Sequence, residues 1–229
     1  MMSLSTIEFQ TEENPGFSII WLHGLGADGN DFVPVAQSMD LPFGVRFVFP
    51  HAPVLPVTIN GGYRMRAWYD IYSLSPGGRE DREGIEASSR LLEELMMKEH
   101  ARGIPFDRIF LAGFSQGAAL VLHAGLRFRE RIAGIVALST YLPLASTLDR
   151  EANPANAGIP VFLAHGDEDD VIPVSAGFAV RDVLSALGHR VDWHRYPMAH
   201  SVNGRETADI SSWLENIMSG DVESPKIEA

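Results

Sequence analysis

The sequence predicts an α/β fold: a mostly parallel central sheet with helices on both faces and no large lid domain. Three observations carry this. Short β-rich runs alternate with helix-patterned segments along the chain. The central runs are apolar almost continuously, as expected of strands covered on both faces. Only about twenty residues, "TYLPLASTLDREANPANAG", separate the run ending near Ser139 from the one beginning at Ile159, too few for a helical lid.

The strands follow in order. "LSTIEFQ" from Leu4 fits an edge strand, and "FSIIWL" from Phe17 and "VRFVFP" from Val45 fit central ones. "RIFLAGF" from Arg108, "IAGIVALS" from Ile132, "IPVFLAH" from Ile159 and "RVDWHRY" from Arg190 complete the set. Between them, "REGIEASSRLLEELMMKEHA" puts Ile85, Ser89, Leu92, Leu95 and Met96 near one helix face, with acids toward its start. "SQGAALVLHAGLRF", "SAGFAVRDVLSALG" and "GRETADISSWLENIM" read as three more helices, the second ending at Gly188 in C-cap style. His51 to Asp81 breaks the rhythm with prolines, paired glycines and no helical period, and reads as a long functional loop. One domain is expected over residues 1–218. The tail 219–229, "SGDVESPKIEA", lacks apolar periodicity and is expected to fray.

Composition narrows the function classes. The 229 residues are 45% apolar and 21% charged, the balance of a soluble globular protein, and no apolar run approaches a membrane span. The start has neither a basic head nor an apolar core, so no secretory leader is expected and cytoplasm is the default location. A formal net charge of -12 disfavours nucleic acid and anionic lipid surfaces as partners. With no cysteine, disulfides, thiolate metal ligands and a cysteine nucleophile are all excluded.

Ligands of parallel sheets gather beyond the carboxyl ends of the strands, and there the chain reads "LAGFSQGAAL". A bare G-x-S-x-G is weak evidence, but here Ser115 joins a strand to a helix. Such a turn lifts the hydroxyl over the sheet edge, and Gly113 and Gly117 let strand and helix approach closely. A serine that merely caps the helix would leave both glycines unexplained.

A serine hydroxyl needs a base and a carboxylate to orient that base, expected in the order serine, acid, histidine. "HGDEDDVIP" supplies Asp167, Glu168, Asp169 and Asp170 at one strand end, and spacing does not choose among them. A divalent-cation reading of this run lacks the further ligands of a dedicated loop. Of eight histidines, His200 in "YPMAHSVNG" lies past the next strand, where a loop can swing it over the active edge. His23 and His51 precede the serine and read as loop-shaping groups; His165 reads as a structural hydrogen-bonding group. Backbone donors for a developing oxyanion are expected at Gln116, after the serine, and at Leu25 in the glycine turn "WLHGLGADGNDF". That turn lacks the spacing and the lysine of a phosphate loop.

Several ordered blocks now resemble one family: "WLHGLGADGNDF", "FVFPHAP", "PVTINGGYRMRAWYDI", "FLAGFSQGAAL", "ALSTYLP", "HGDEDDVIP" and "YPMAHSV". They are similar to the phospholipase/carboxylesterase family of small α/β-hydrolases, above all its bacterial carboxylesterase branch, related to the acyl-protein thioesterases. The likeness spans about Phe17 to Trp213. It implies a serine carboxylesterase acting on short- to medium-chain esters, with Ser115, Asp169 and His200 as triad and the Leu25 and Gln116 amides as oxyanion donors. It places the family's W-Y/F-D element on Trp68, Tyr69 and Asp70, with Trp68, Tyr69 and Leu25 beside a small-molecule ester. It implies a homodimer; the triad chemistry calls for no cofactor and no metal, and the acidic chain without an apolar span is expected to make no stable membrane insertion. A thioesterase or lysophospholipase would use the same triad. A non-catalytic, ligand-binding relative would usually have lost a triad member. One departure is Ala199, where the family commonly has glycine before the histidine.

Overall fold

The computed structural model describes residues 4–73 and 78–220. Seven strands form one sheet: β1 (Thr6–Gln10), β2 (Phe17–Leu22), β3 (Val45–Pro50), β6 (Ile109–Phe114), β7 (Gly134–Leu138), β8 (Pro160–Gly166) and β9 (Arg190–Tyr196). Their spatial order is β1-β3-β2-β6-β7-β8-β9, parallel throughout except for β1, which lies antiparallel along β3 at the edge. All seven expected strands are present, and no large additional domain interrupts them.

Alternation along β2 shows how the sheet is covered. Ile20 and Leu22 enter the apolar layer shared with Ile85, Leu92 and Met96 of α2 (Arg82–Ala101), Leu120 of α3 (Gln116–Arg127) and Val180 of α5 (Val174–Ala186). Ile19 and Trp21 point the other way, into the layer shared with Ala36 of α1 (Val33–Gln37) and Ile210 and Trp213 of α6 (Gly204–Ser219). Helix α3 is buried along nearly its whole length. Each large apolar side chain so buried contributes about 1.5–3 kcal/mol, which fixes the start of α3 against the sheet edge.

The helix ends follow local chemistry. Asp81 caps α2 by accepting the Gly84 N–H at 3.1 Å, and Asn203 caps α6 by accepting the Glu206 N–H at 2.9 Å. Gly188, at φ 80°, follows α5 as expected from the C-cap pattern. Helix α6 runs through Ser219 to Gly220, so the expected tail begins slightly early at 219; residues 221–229 lie outside the described part.

The segment His51 to Asp81 departs from expectation. It is no plain loop but carries an antiparallel hairpin, β4 (Val54–Val57) with β5 (Tyr63–Arg66), closed by a single 3₁₀ turn and Gly61 and Gly62 at positive φ. Two four-residue strands, one of them containing Pro56, give too short an alternation to be read as β structure. The remaining short helix, α4 (Ala145–Glu151), follows Leu144, which takes the left-handed conformation.

Candidate active site

Four chain segments meet beyond the carboxyl ends of the central strands. The first is the β6–α3 turn. Ser115 sits there at φ 55° and ψ −120°, a backbone conformation that few non-glycine residues adopt. Its side chain caps no helix amide and makes no hydrogen bond to another described residue, so the capping reading falls away. The glycines act as expected. A Cβ on Gly113 would come within 2.6 Å of the Ala118 nitrogen, and one on Gly117 within 2.6 Å of the His23 carbonyl oxygen. The Ser115 N–H donates to the Leu138 carbonyl at 2.9 Å, and the Thr140 hydroxyl donates to the Ser115 carbonyl at 2.9 Å, locking the turn.

The second and third segments follow β8 and β9. Of the four acids, Asp169 alone turns inward, its side chain fully buried. One carboxylate oxygen accepts the Val171 and Ile172 N–H groups at 3.0 and 2.8 Å; the other lies 2.7 Å from His200 Nδ1. Asp167 instead points out to Arg195 at 2.6 Å. His165 Nε2 lies 2.8 Å from the Ile172 carbonyl, a structural role as expected, and burial lowers its basicity. The His200 ring rests on Phe114, with centroids 4.6 Å apart. Gly166 permits this meeting, since a Cβ there would press on the carbonyls of Met198 and Ala199. Ala199 does not take a positive φ, so its methyl group strains nothing.

The fourth segment is the turn after β2. His23 is buried, which lowers its pKa to about 4 and keeps it neutral. The Ala52 N–H donates to its Nε2 at 3.1 Å, so the ring proton resides on Nδ1, which donates to the Gly24 carbonyl at 2.7 Å. Gly24 packs against Ser115, where even a Cβ would come within 3.4 Å of the serine Cβ. The Gly26 N–H is anchored on the Arg66 carbonyl of β5 at 2.8 Å. Among the described residues, the N–H groups of Leu25 and Gln116 engage no acceptor.

Ser115, Gln116, Leu25, Gly24 and His200 line one cavity of about 290 Å³. A larger one, about 500 Å³, adjoins it through the shared residues Ile71, Tyr141, Val171 and Ile172. Tyr69 lines the larger cavity, and its hydroxyl lies 2.7 Å from that of Tyr141. Burial pushes the Tyr69 phenol well up and that of Tyr141 up to about 12, so both stay neutral. Among the described residues, no group of three or more histidine and carboxylate side chains is placed to hold a metal ion.

Trp68 requires a correction. It is 2% exposed and lines neither cavity; it stands in the core behind the turn, its indole N–H donating to the His23 carbonyl at 2.9 Å. A large aromatic in a glycine- and proline-rich segment reads as a pocket wall, but hydrogen bonds donated by both of its N–H groups hold it inside. Sequence reasoning also missed the Gln116 side chain. Its Oε1 accepts the Trp68 N–H at 2.9 Å and its Nε2 donates to the Tyr69 carbonyl at 2.8 Å. A glutamine at a helix start carries no signal for such a clamp.

Fold and site together define a serine hydrolase of the α/β-hydrolase class. Residues 7–218 match the model of the Phospholipase/Carboxylesterase family. The chain belongs to that family. "Acyl-protein thioesterase 1" of Yarrowia lipolytica is 40% identical over 205 residues, 86% of this chain and 90% of that protein. Among solved structures, acyl-protein thioesterase 2 of Zea mays superposes with a TM-score of 0.84 at 30% identity, covering 93% of this chain and 99% of that one. The Bacillus cereus carboxylesterase matches at a TM-score of 0.73 and 20% identity, covering 93% and 94%, a likeness of fold alone.

Proposed function

We propose that this protein is a serine carboxylesterase that cleaves short- to medium-chain acyl esters through an acyl-enzyme. The observation that carries the reading is the convergence of a strained, uncapped serine with an aspartate-held imidazole in one cavity. His200 accepts the Ser115 proton while Ser115 Oγ bonds to the ester carbonyl carbon. The C=O π electrons move onto oxygen, where the Leu25 and Gln116 N–H groups receive the charge. Asp169 keeps the His200 ring proton on Nδ1, leaving Nε2 free as base, and stabilises the imidazolium. His200 then protonates the leaving alcohol as the C–O bond breaks, and water repeats the steps to free the acid.

The adjoining apolar cavity, walled by Tyr69, Ile71 and Val180, gives an acyl chain a place beyond the reacting centre. The similar thioesterases favour a second reading, hydrolysis of acyl thioesters by the same groups, since only the leaving atom differs. Among the described residues no helix is long and apolar enough to cross a membrane. The family match, ending at residue 218, supports one domain over 1–218. A cytoplasmic homodimer belongs to the same proposal, and a monomeric mass in sedimentation would remove the dimer from it.

The test is Ser115→Ala assayed on p-nitrophenyl butyrate. Turnover is expected to fall on the order of a million-fold with the fold intact. Substantial residual turnover would refute the assignment. Specificity constants for matched esters, thioesters and lysophospholipids then rank the two substrate readings.

A further inference from the structure

We propose that Trp68 is a positioning residue for the oxyanion hole, holding both donor-bearing segments in register; the proposal rests on the serine-esterase reading above. The two donors come from parts of the chain that share no strand pairing at the turn itself: Leu25 after β2, Gln116 at the start of α3. Trp68 is bonded to both. Its indole N–H donates to the His23 carbonyl at 2.9 Å, two residues before Leu25. Its backbone N–H donates to the side chain of Gln116 at 2.9 Å, and the same amide group returns a hydrogen bond to the Tyr69 carbonyl at 2.8 Å. The Trp68 ring lies 5.2 Å from the His23 ring, and the Trp68 carbonyl accepts the Ser88 hydroxyl of α2, so the tryptophan itself is fixed from behind.

A core tryptophan needs a partner for its N–H, and any carbonyl would do. This one takes the carbonyl at the root of the glycine turn. The Gln116 side chain is fully buried with both ends engaged, so a shift of Trp68 is transmitted to the residue whose N–H faces the substrate. Oxyanion donors act through preorganisation, and displacement of a reacting geometry by about 1 Å costs on the order of a hundred-fold in rate. Loosening this brace therefore acts on the transition state and leaves ground-state binding alone.

The experiment compares Trp68→Phe with a variant carrying β-(3-benzothienyl)alanine at 68, which keeps the bicyclic shape but puts sulfur in place of N–H. For each, kcat and KM are measured on p-nitrophenyl esters of short, medium and long acyl chain, together with affinity for an alkyl trifluoromethyl ketone. Ser115 Oγ adds to that ketone carbon, its proton passes to His200, and the carbonyl electron pair becomes an oxyanion in the hole. In the benzothienyl variant kcat is expected to fall about ten- to a hundred-fold and ketone affinity by a similar factor, with KM and chain-length ranking unchanged. Unchanged kcat and ketone affinity in that folded variant would overturn the proposal and leave Trp68 as packing only. A changed chain-length ranking would overturn it in favour of a pocket wall. If Trp68→Phe does not fold, the isosteric variant decides alone. Failure of the esterase reading is distinguishable, since wild-type protein would then neither turn over the esters nor bind the ketone.

Discussion

Ser115 stands in a conformation that costs on the order of 1–3 kcal/mol for a residue with a Cβ, and the turn around it is held by hydrogen bonds from its own N–H and to its carbonyl. Such strain persists where the surroundings over-determine it. The aspartate is the residue on which sequence spacing is silent. Four acids in a row end β8, and side-chain direction within a turn has no period to read. Two backbone N–H groups and the His200 ring select Asp169, while its neighbour Asp167 faces Arg195. His200, expected from chain order and topology, lies 2.7 Å from the Asp169 carboxylate, and its role as base belongs to the proposal. Asp169→Asn should leave the fold intact and lower kcat about 10⁴-fold, because an amide can steer the imidazole into the wrong tautomer. Steady-state kinetics checks this, and a loss under ten-fold would remove Asp169 from the proton path. The place beside the substrate that the family resemblance implies for Trp68 fails at this same scale: a motif marks the residue, not which way its N–H groups are drawn.

The strand–turn–helix unit depends on glycines as spacers. An alanine at 117 would press its Cβ toward the Leu22 and His23 carbonyls, backbone atoms that cannot rotate away. Gly117→Ala should therefore destabilise the protein by about 3 kcal/mol, as overpacking does. Gly204, in the first turn of α6 with open space around it, is the control. Gly204→Ala should be neutral or stabilising by up to about 1 kcal/mol. Urea unfolding of the two variants measures the difference, and equal stabilities would show that β6 and α3 do not need the close approach. Legibility at this scale followed element length. Strands of five to seven residues and the long helices declare themselves, whereas the five-residue α1 offers less than two helical periods and the four-residue strands of the hairpin only two alternations.

Across the whole molecule, buried ionisable groups set the pH range of stability. Burial lowers the pKa of His23 and of His123 from 6.5 to about 4. The unfolded chain then binds more protons between those values, so the contribution of these two histidines is full above pH about 6.5 and is lost as pH falls toward 4, by on the order of a few kcal/mol. Glu206 works in the opposite sense. Both its carboxylate oxygens are buried without a partner among the described residues, and burial, with Asp209 nearby, pushes its pKa up to about 8. The folded state holds that proton longer, so stability is lost as pH rises from about 4.5 through 8. Thermal midpoints across pH should fall on both sides, and Glu206→Gln should remove the alkaline decline alone. An unchanged alkaline limb in that variant would show that Glu206 does not cause it. Chain order and strand alternation made the sheet legible in advance; these buried charges were not, because burial of a single polar residue is decided by packing from distant segments.

In the proposed mechanism one serine, Ser115, is activated by His200, far along the chain but lining the same cavity. Treating the folded protein with a fluorophosphonate and mapping the adduct by peptide mass spectrometry tests it most directly. The expected result is a stoichiometric adduct on Ser115 that forms far more slowly in His200→Ala. A folded protein that stays unlabelled, or an adduct on any other serine, would contradict it.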